Sequence, residues 1–260
     1  MEQDTVQIVK RTVGLLLLLV LAAGIAGVLL WRFGSPWGAS GAQKDIQAYV
    51  EQTYSGQNLK VDRVSYNLAT HGYQARVESE TREDVFFIVS AKDGEILSDS
   101  YEADVEQKGN TVRRLEETYT ELVRKQLEEA ALSAPVQASV HLDSASVGAV
   151  RLGMAFSMEN ALQYNLMLEG TSDDPSPEAA ARLLEEVYAR MDTAGYGFSF
   201  YGVQLENDGA SVTAAQVTPA QIKGGNLARI FQLALEGDTE SGVYLVTRGP
   251  EKAQEESTGE

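Results

Sequence analysis

Nineteen consecutive residues, Val13 to Trp31, carry neither a charge nor a strongly polar side chain. As a helix rising 1.5 Å per residue, such a run covers roughly 28 Å, the thickness of a bilayer's hydrocarbon core. A secretory signal needs an apolar core of only about 7–15 residues before a small-residue cleavage site. Gly24-Ile25-Ala26 could be read as that site, and a buried helix of a soluble protein is the third option. However, Val28-Leu29-Leu30-Trp31 continues past the small residues and completes a full span. The run therefore reads as an uncleaved transmembrane anchor over residues 13–33, whose partner is the lipid bilayer.

The flanks set its direction. Lys10 and Arg11 precede the run and only Arg32 follows it at once, so residues 1–12 are expected in the cytoplasm and everything after the span outside it. Trp31 and Trp37 bracket the outer interface, where indole rings prefer to lie. Ala22/Ala26 and Ala23/Gly27 have the small-xxx-small spacing of helix pairs, a pattern that Ala/Gly-rich spans also produce by chance.

The net charge of −17 is unevenly placed. Lys10, Arg11 and Arg32 against Glu2 and Asp4 leave residues 1–33 at +1, so the remaining 227 residues carry −18. A chain that acidic repels phosphate backbones, which excludes nucleic acid as an expected partner. Cysteine is absent, and with it disulfide frameworks, zinc–thiolate sites and thiol nucleophiles.

Beyond the span, "GSPWGASGAQ" reads as a Gly/Ser linker over residues 34–43. A first α+β domain is expected at 44–108. Ile46, Tyr49, Val50, Thr53 and Tyr54 share one face of a helix. The period then changes to two, with strands around Val64–Leu68, Tyr73–Val77 and "VFFIVSA", and a type I′ hairpin at Asp93-Gly94. Leu59 and Val61 are out of phase with Val64 and Tyr66, which places a bulge near Arg63. A long helix from about Thr111 to Leu132, capped by Asn110, leads a second α+β domain over 109–248. There "VQASVHL", "VRLGMAFSM" and "LQYNLMLEG" read as three strands of a half-exposed antiparallel sheet. A helix capped by Ser176-Pro177 and ended by Gly195 follows. After it come strands "FSFYGVQL" and "ASVTAAQV", a helix from Thr218-Pro219 broken at Gly224-Gly225, and an edge strand "VYLVTR". Residues 249–260 form a polar, acidic tail expected to be disordered. The fold class is thus α+β: an anchor and two small units of antiparallel sheet plus helix.

Local signatures of chemistry are sparse. His71 sits in a turn and His141 in a strand, neither with a partner at metal-ligand or dyad spacing along the chain. No Ser lies in a Gly-x-Ser-x-Gly elbow or a Ser-x-x-Lys pair, and no phosphate loop is present. Asp173-Asp174 falls before a helix, where capping accounts for it better than a cation does. No catalytic, metal or cofactor-binding residue is assigned on this basis. Tyr49, Tyr54, Tyr66, Tyr73 and Tyr101 crowd the first unit. Tyrosine suits recognition surfaces and half-buried strands alike. Tyr66 and Tyr73, on adjacent strands, are the candidate binding surface.

With these elements in place, "IQAYVEQTYSGQNLKVDRVSYNLATHGYQARVES" and "FFIVSAKDGEILSDSY" resemble the YfjL-like proteins of Firmicutes. The likeness covers roughly residues 1–130 and lies in pattern and order. It implies a membrane-anchored protein whose first domain is cystatin- or PepSY-like, and it brings no catalytic residue. The function expected from all this is a single-pass, extracytoplasmic binding module for a peptide, a cell-wall component or another envelope protein. The alternative is an envelope hydrolase of peptides or glycans whose site forms only in three dimensions.

Overall fold

The computed structural model describes residues 34–249, together with 18, 20–25, 27, 28 and 32. Most of the anchor expected at 13–33 and the tail from 250 onward lie outside the described residues. Among those described, no helix is long and apolar enough to cross a membrane. The chain divides into two compact units, Met1–Asn110 and Thr111–Glu260.

The first unit starts earlier than its apolar period suggests. Helix α1 spans Pro36–Thr53, so the expected Gly/Ser linker at 34–43 is mostly helix. Ser35 is its N-cap, accepting from the Gly38 amide at 2.9 Å, and Pro36 occupies the first helical position. This is the same device that starts the helices after Ser176 and Thr218, and it outweighs the low helix propensity of Gly38 and Gly41.

Ala42, Ile46 and Val50 pack α1 onto an antiparallel sheet of β1 (Leu59–Val61), β2 (Ser65–Asn67), β3 (Gly72–Ser79), β4 (Phe86–Lys92) and β5 (Glu95–Asp99). Both β1 and β2 pair with the same edge of β3. Between the pairs Val61↔Val77 and Ser65↔Gln74, three residues oppose two, which is the bulge expected near Arg63. β4 lies inside the sheet, and Asp93 (φ 52°) and Gly94 (φ 87°) turn it into β5 as a type I′ hairpin.

A π-helical turn, Glu102–Glu106, leads into α2, Gly109–Glu128. Gly109 is required there, because a Cβ would stand 2.7 Å from the Ala103 carbonyl oxygen. Asn110 lies within the helix and not at its cap. It is buried and donates through Nδ2 to the carbonyls of Asp84 (3.0 Å) and Phe86 (2.6 Å), closing the end of the first unit's sheet.

The second unit holds β6 (Val136–Leu142), β7 (Tyr164–Thr171), α3 (Pro177–Ala194), β8 (Phe200–Asn207), β9 (Ala210–Val217), α4 (Pro219–Lys223), α5 (Leu227–Leu235) and β10 (Tyr244–Arg248). The sheet order is β10-β9-β8-β7-β6. It is mixed, not antiparallel as expected: β7 and β8 run parallel, because the intervening 18-residue α3 carries the chain back to the end where β7 began. "VRLGMAFSM" is not a strand. An irregular passage takes its place, with Gly153 at φ 71°, and a 3₁₀ turn at Ser144–Ala149 precedes it. Its alternation reflects separate anchors: Val150 is buried, and Phe156 packs its ring 5.3 Å from that of Tyr119.

The core lies between one face of this sheet and the helices. Leu115, Tyr119, Val123 and Leu127 of α2 join Leu183, Leu184, Val187 and Met191 of α3 against Leu166, Leu168, Val203 and Leu205. Each fully buried aliphatic side chain contributes about 1.5–3 kcal/mol.

Candidate functional site

The β2–β3 hairpin sets Tyr66 directly opposite Tyr73, and the rings meet edge to face with centroids 5.3 Å apart. The two residues singled out in the sequence are therefore side by side. What lies on them is the chain's own first turn of α1. The Tyr73 hydroxyl accepts from the Ser35 amide at 2.8 Å and donates to the Ser35 carbonyl at 2.9 Å. A Cβ on Gly34 would stand 2.6 Å from Tyr66 Cδ2, and one on Gly38 2.5 Å from the Tyr73 hydroxyl oxygen. The glycines of the "linker" thus permit close approach to this tyrosine pair. His71, in the turn at φ 49°, sets its Nδ1 3.1 Å from the Tyr66 hydroxyl.

The other first-unit tyrosines converge on one carboxylate. Asp99 accepts from the hydroxyls of Tyr49 (2.9 Å) and Tyr54 (2.5 Å) and from the amide of Tyr101 (2.6 Å). Burial first, and then the Asp99 charge, pushes the Tyr54 phenol well above its ordinary range and raises Tyr49 as well. The arrangement ties α1 to β5.

The second unit offers a different surface. The large buried side chains of this sheet alternate onto the face that packs the helices, so the opposite face carries Gln137, Ser139 and His141 of β6, Asn165, Met167 and Glu169 of β7, and Phe200 and Gln204 of β8, with Gly202 buried beside Met167. In cross-strand register, Gln137, Glu169, Gln204, Thr213 and Val246 make one continuous row. None of these side chains is fully buried.

Two features on it escaped sequence reading. Ser139 Oγ and His141 Nε2 lie 3.1 Å apart, because residues two apart on a strand share a face. The pattern Ser-x-His-x-Asp over 139–143 carried that signal. Asp143, two residues further on, spends its carboxylate on the Ala145 amide (2.9 Å) and the Asn165 Nδ2 (3.3 Å). An amide facing a carboxylate must present its NH₂, so Asn165 Oδ1 is turned the other way, where it is buried without a hydrogen-bond partner. Asp143 and Asn165 border a groove of about 520 Å³ walled by Met167, Phe200 and Gln216.

A larger cleft, about 590 Å³, opens where β7 and β8 end and α3 begins. Ser133, Thr171, Asp173, Asp174, Arg182 and Asn207 are among the residues around it. Crevices outside the carboxyl ends of parallel strands are where open α/β sheets commonly bind ligands. Asp174 also accepts from the hydroxyl of Ser176 at 3.0 Å, and Ser176, not the acidic pair, caps α3 by accepting from the Ala179 amide.

Comparison with known proteins places both units. Residues 9–100 match the YfjL-like N-terminal domain, and residues 118–231 match the YfjL-like C-terminal domain. The chain is 23% identical over 205 residues to the uncharacterized protein YfjL of Bacillus subtilis (strain 168), covering 73% of this chain and 82% of that protein. No solved structure gives a significant match.

Proposed function

We propose that this chain, which belongs to the YfjL-like family through both of its domains, is a membrane-anchored binding module that engages its ligand on the open sheet face of the second domain. The observation that carries the reading is the bare row Gln137–Glu169–Gln204–Thr213–Val246, a broad polar surface with apolar points at Met167 and Phe200. Polar rims around a few apolar or aromatic anchors are how recognition surfaces are built. The ligand class is a peptide, a cell-wall component or another envelope protein. The anchor is the apolar run at 13–33. The helical residues Leu18, Val20, Leu21, Ile25 and Val28 in it are 54–69% exposed, which suits side chains meant for lipid. By resemblance, the first domain is of the cystatin or PepSY type. A photo-crosslinking amino acid at Gln204 should give discrete adducts in living cells, and the same group at Glu185, exposed on α3, should give none. Equal adducts at both positions would refute the reading.

The Ser139–His141 contact supports a second reading, an envelope hydrolase in which His141 takes the Ser139 proton. Fluorophosphonate labelling that disappears in Ser139→Ala would establish it. No labelling of the wild type leaves binding as the function.

A further inference from the structure

We propose that the turn Gly34–Trp37 is a membrane-surface fitting: the Trp37 indole sits among the lipid headgroups, and Tyr73 and Tyr66 grip the same turn so that the first domain is held firmly at the bilayer. The inference rests on the anchor reading of residues 13–33 and adds a second, independent lipid contact outside the span.

Three observations converge on this turn. The first is its grip. One hydroxyl, that of Tyr73, bonds both the amide and the carbonyl of Ser35, at 2.8 and 2.9 Å. Tyr66 stands edge to face against Tyr73, and Gly34, at φ 71°, passes so close to the Tyr66 ring that no Cβ would fit. The Ser35 side chain in turn caps α1 through the Gly38 amide at 2.9 Å. Residues 34–38 are thus fastened to the sheet by side chains on β2 and β3.

The second observation is Trp37. It lies in the first turn of the capped helix and is nonetheless 81% exposed, on the side of α1 away from Ala42, Ile46 and Val50. An indole fixed in a clamped turn and facing outward cannot swing back into the core. Its apolar ring with a single N–H donor is the side chain best suited to the boundary of hydrocarbon and water. Lys44 is seven residues on and also exposed, so the same helix face brings an ammonium group that can reach lipid phosphates.

The third is distance. Trp37 is four residues beyond Phe33, at most about 14 Å of extended chain. The headgroup layer itself is about 5–7 Å deep on each side of the hydrocarbon. An exposed indole tied this close to the end of the span falls within the reach of that layer.

The test uses the full chain in lipid nanodiscs. Only two tryptophans are present, so Trp31→Phe leaves Trp37 as the sole indole. Its emission should be shifted to shorter wavelength, quenched by phospholipids brominated near the carbonyl end of the acyl chain, and protected from iodide in the water. A disc-bound chain whose Trp37 is quenched by iodide and not by bromolipid overturns the proposal and leaves the anchor intact. A chain that does not enter the disc overturns both. Adding Tyr73→Phe removes the two Ser35 bonds and keeps the ring, so Trp37 should stay lipid-quenched while its fluorescence anisotropy falls. Unchanged anisotropy overturns the role given to the tyrosine.

Discussion

Arg124 reaches from α2 to the free edge of the second sheet, where its Nε donates to the Ala138 carbonyl at 2.9 Å. One helical turn back, Thr120 Oγ1 accepts the Val140 amide at 2.9 Å, and a further turn back Glu116 accepts the Leu142 amide at 2.7 Å. Three side chains at four-residue spacing thus satisfy three of the backbone groups that an edge strand would otherwise offer to another chain. Glu116→Ala combined with Thr120→Val should cost about 2–4 kcal/mol, since two amides lose their acceptors. The variant should also associate with rising concentration. Thermal melts and sedimentation that both match the wild type would contradict this account of the edge.

Asn110 bonds two carbonyls at once, those of Asp84 and Phe86. Asn110→Ala leaves both without this donor and should cost about 2–3 kcal/mol. Asn110→Asp should be worse at neutral pH, because a carboxylate then faces two carbonyl oxygens, and the gap should narrow once acid protonates it. A melting temperature for Asn110→Asp equal to that of Asn110→Ala at pH 7 would count against this placement.

Tyr119 and Tyr201 are 2% and 1% exposed, and burial raises both phenols above their ordinary range. In the unfolded chain they ionise near pH 10. Below that pH their contribution to stability is constant. Above it the unfolded state loses protons that the folded state keeps, so each ring costs about 1.4 kcal/mol of stability per pH unit. Phenolate absorbance should therefore show a late class of tyrosines that titrates together with unfolding. Smooth titration of every tyrosine around pH 10 in the folded protein would be inconsistent with these positions.

Gly170 and Gly202 look alike in sequence and should respond differently. A Cβ on Gly170 runs into the Pro135 carbonyl oxygen, which is backbone, whereas one on Gly202 meets Met167 Sδ at 2.6 Å, the far end of a flexible side chain. Gly170→Ala should cost about 3 kcal/mol, and Gly202→Ala about 1 kcal/mol or less as the thioether moves aside. Equal melting temperatures would contradict this ordering.

How much of this could be read from residues alone depended on the kind of signal. Ser176-Pro177, Thr218-Pro219 and Asp93-Gly94 each specify a local geometry, and each forms it. Ser35-Pro36 is the same signal and starts α1 in the same way, although Gly34, Gly38 and Gly41 around it have the composition of a flexible linker. For Gly34 and Gly38, the structural reason is contact with Tyr66 and Tyr73, residues about thirty positions away, which no local pattern reveals. The parallel β7–β8 pair was implicit in the order strand, helix, strand, yet alternation along β7 and β8 resembles that of an antiparallel sheet. The Ser139–His141 pair needed only the strand period. The partnerless Asn165 Oδ1 and the edge cover by α2 needed the packing itself.

The central claim, that residues 13–33 hold two domains outside the cell, can be tested with single cysteines because the chain has none of its own. Ser98→Cys, at an exposed position of β5, should react with a membrane-impermeant maleimide on intact cells. Thr5→Cys, before the span, should react only after the membrane is opened. Labelling of Thr5→Cys on intact cells, or of Ser98→Cys only after lysis, would contradict the account.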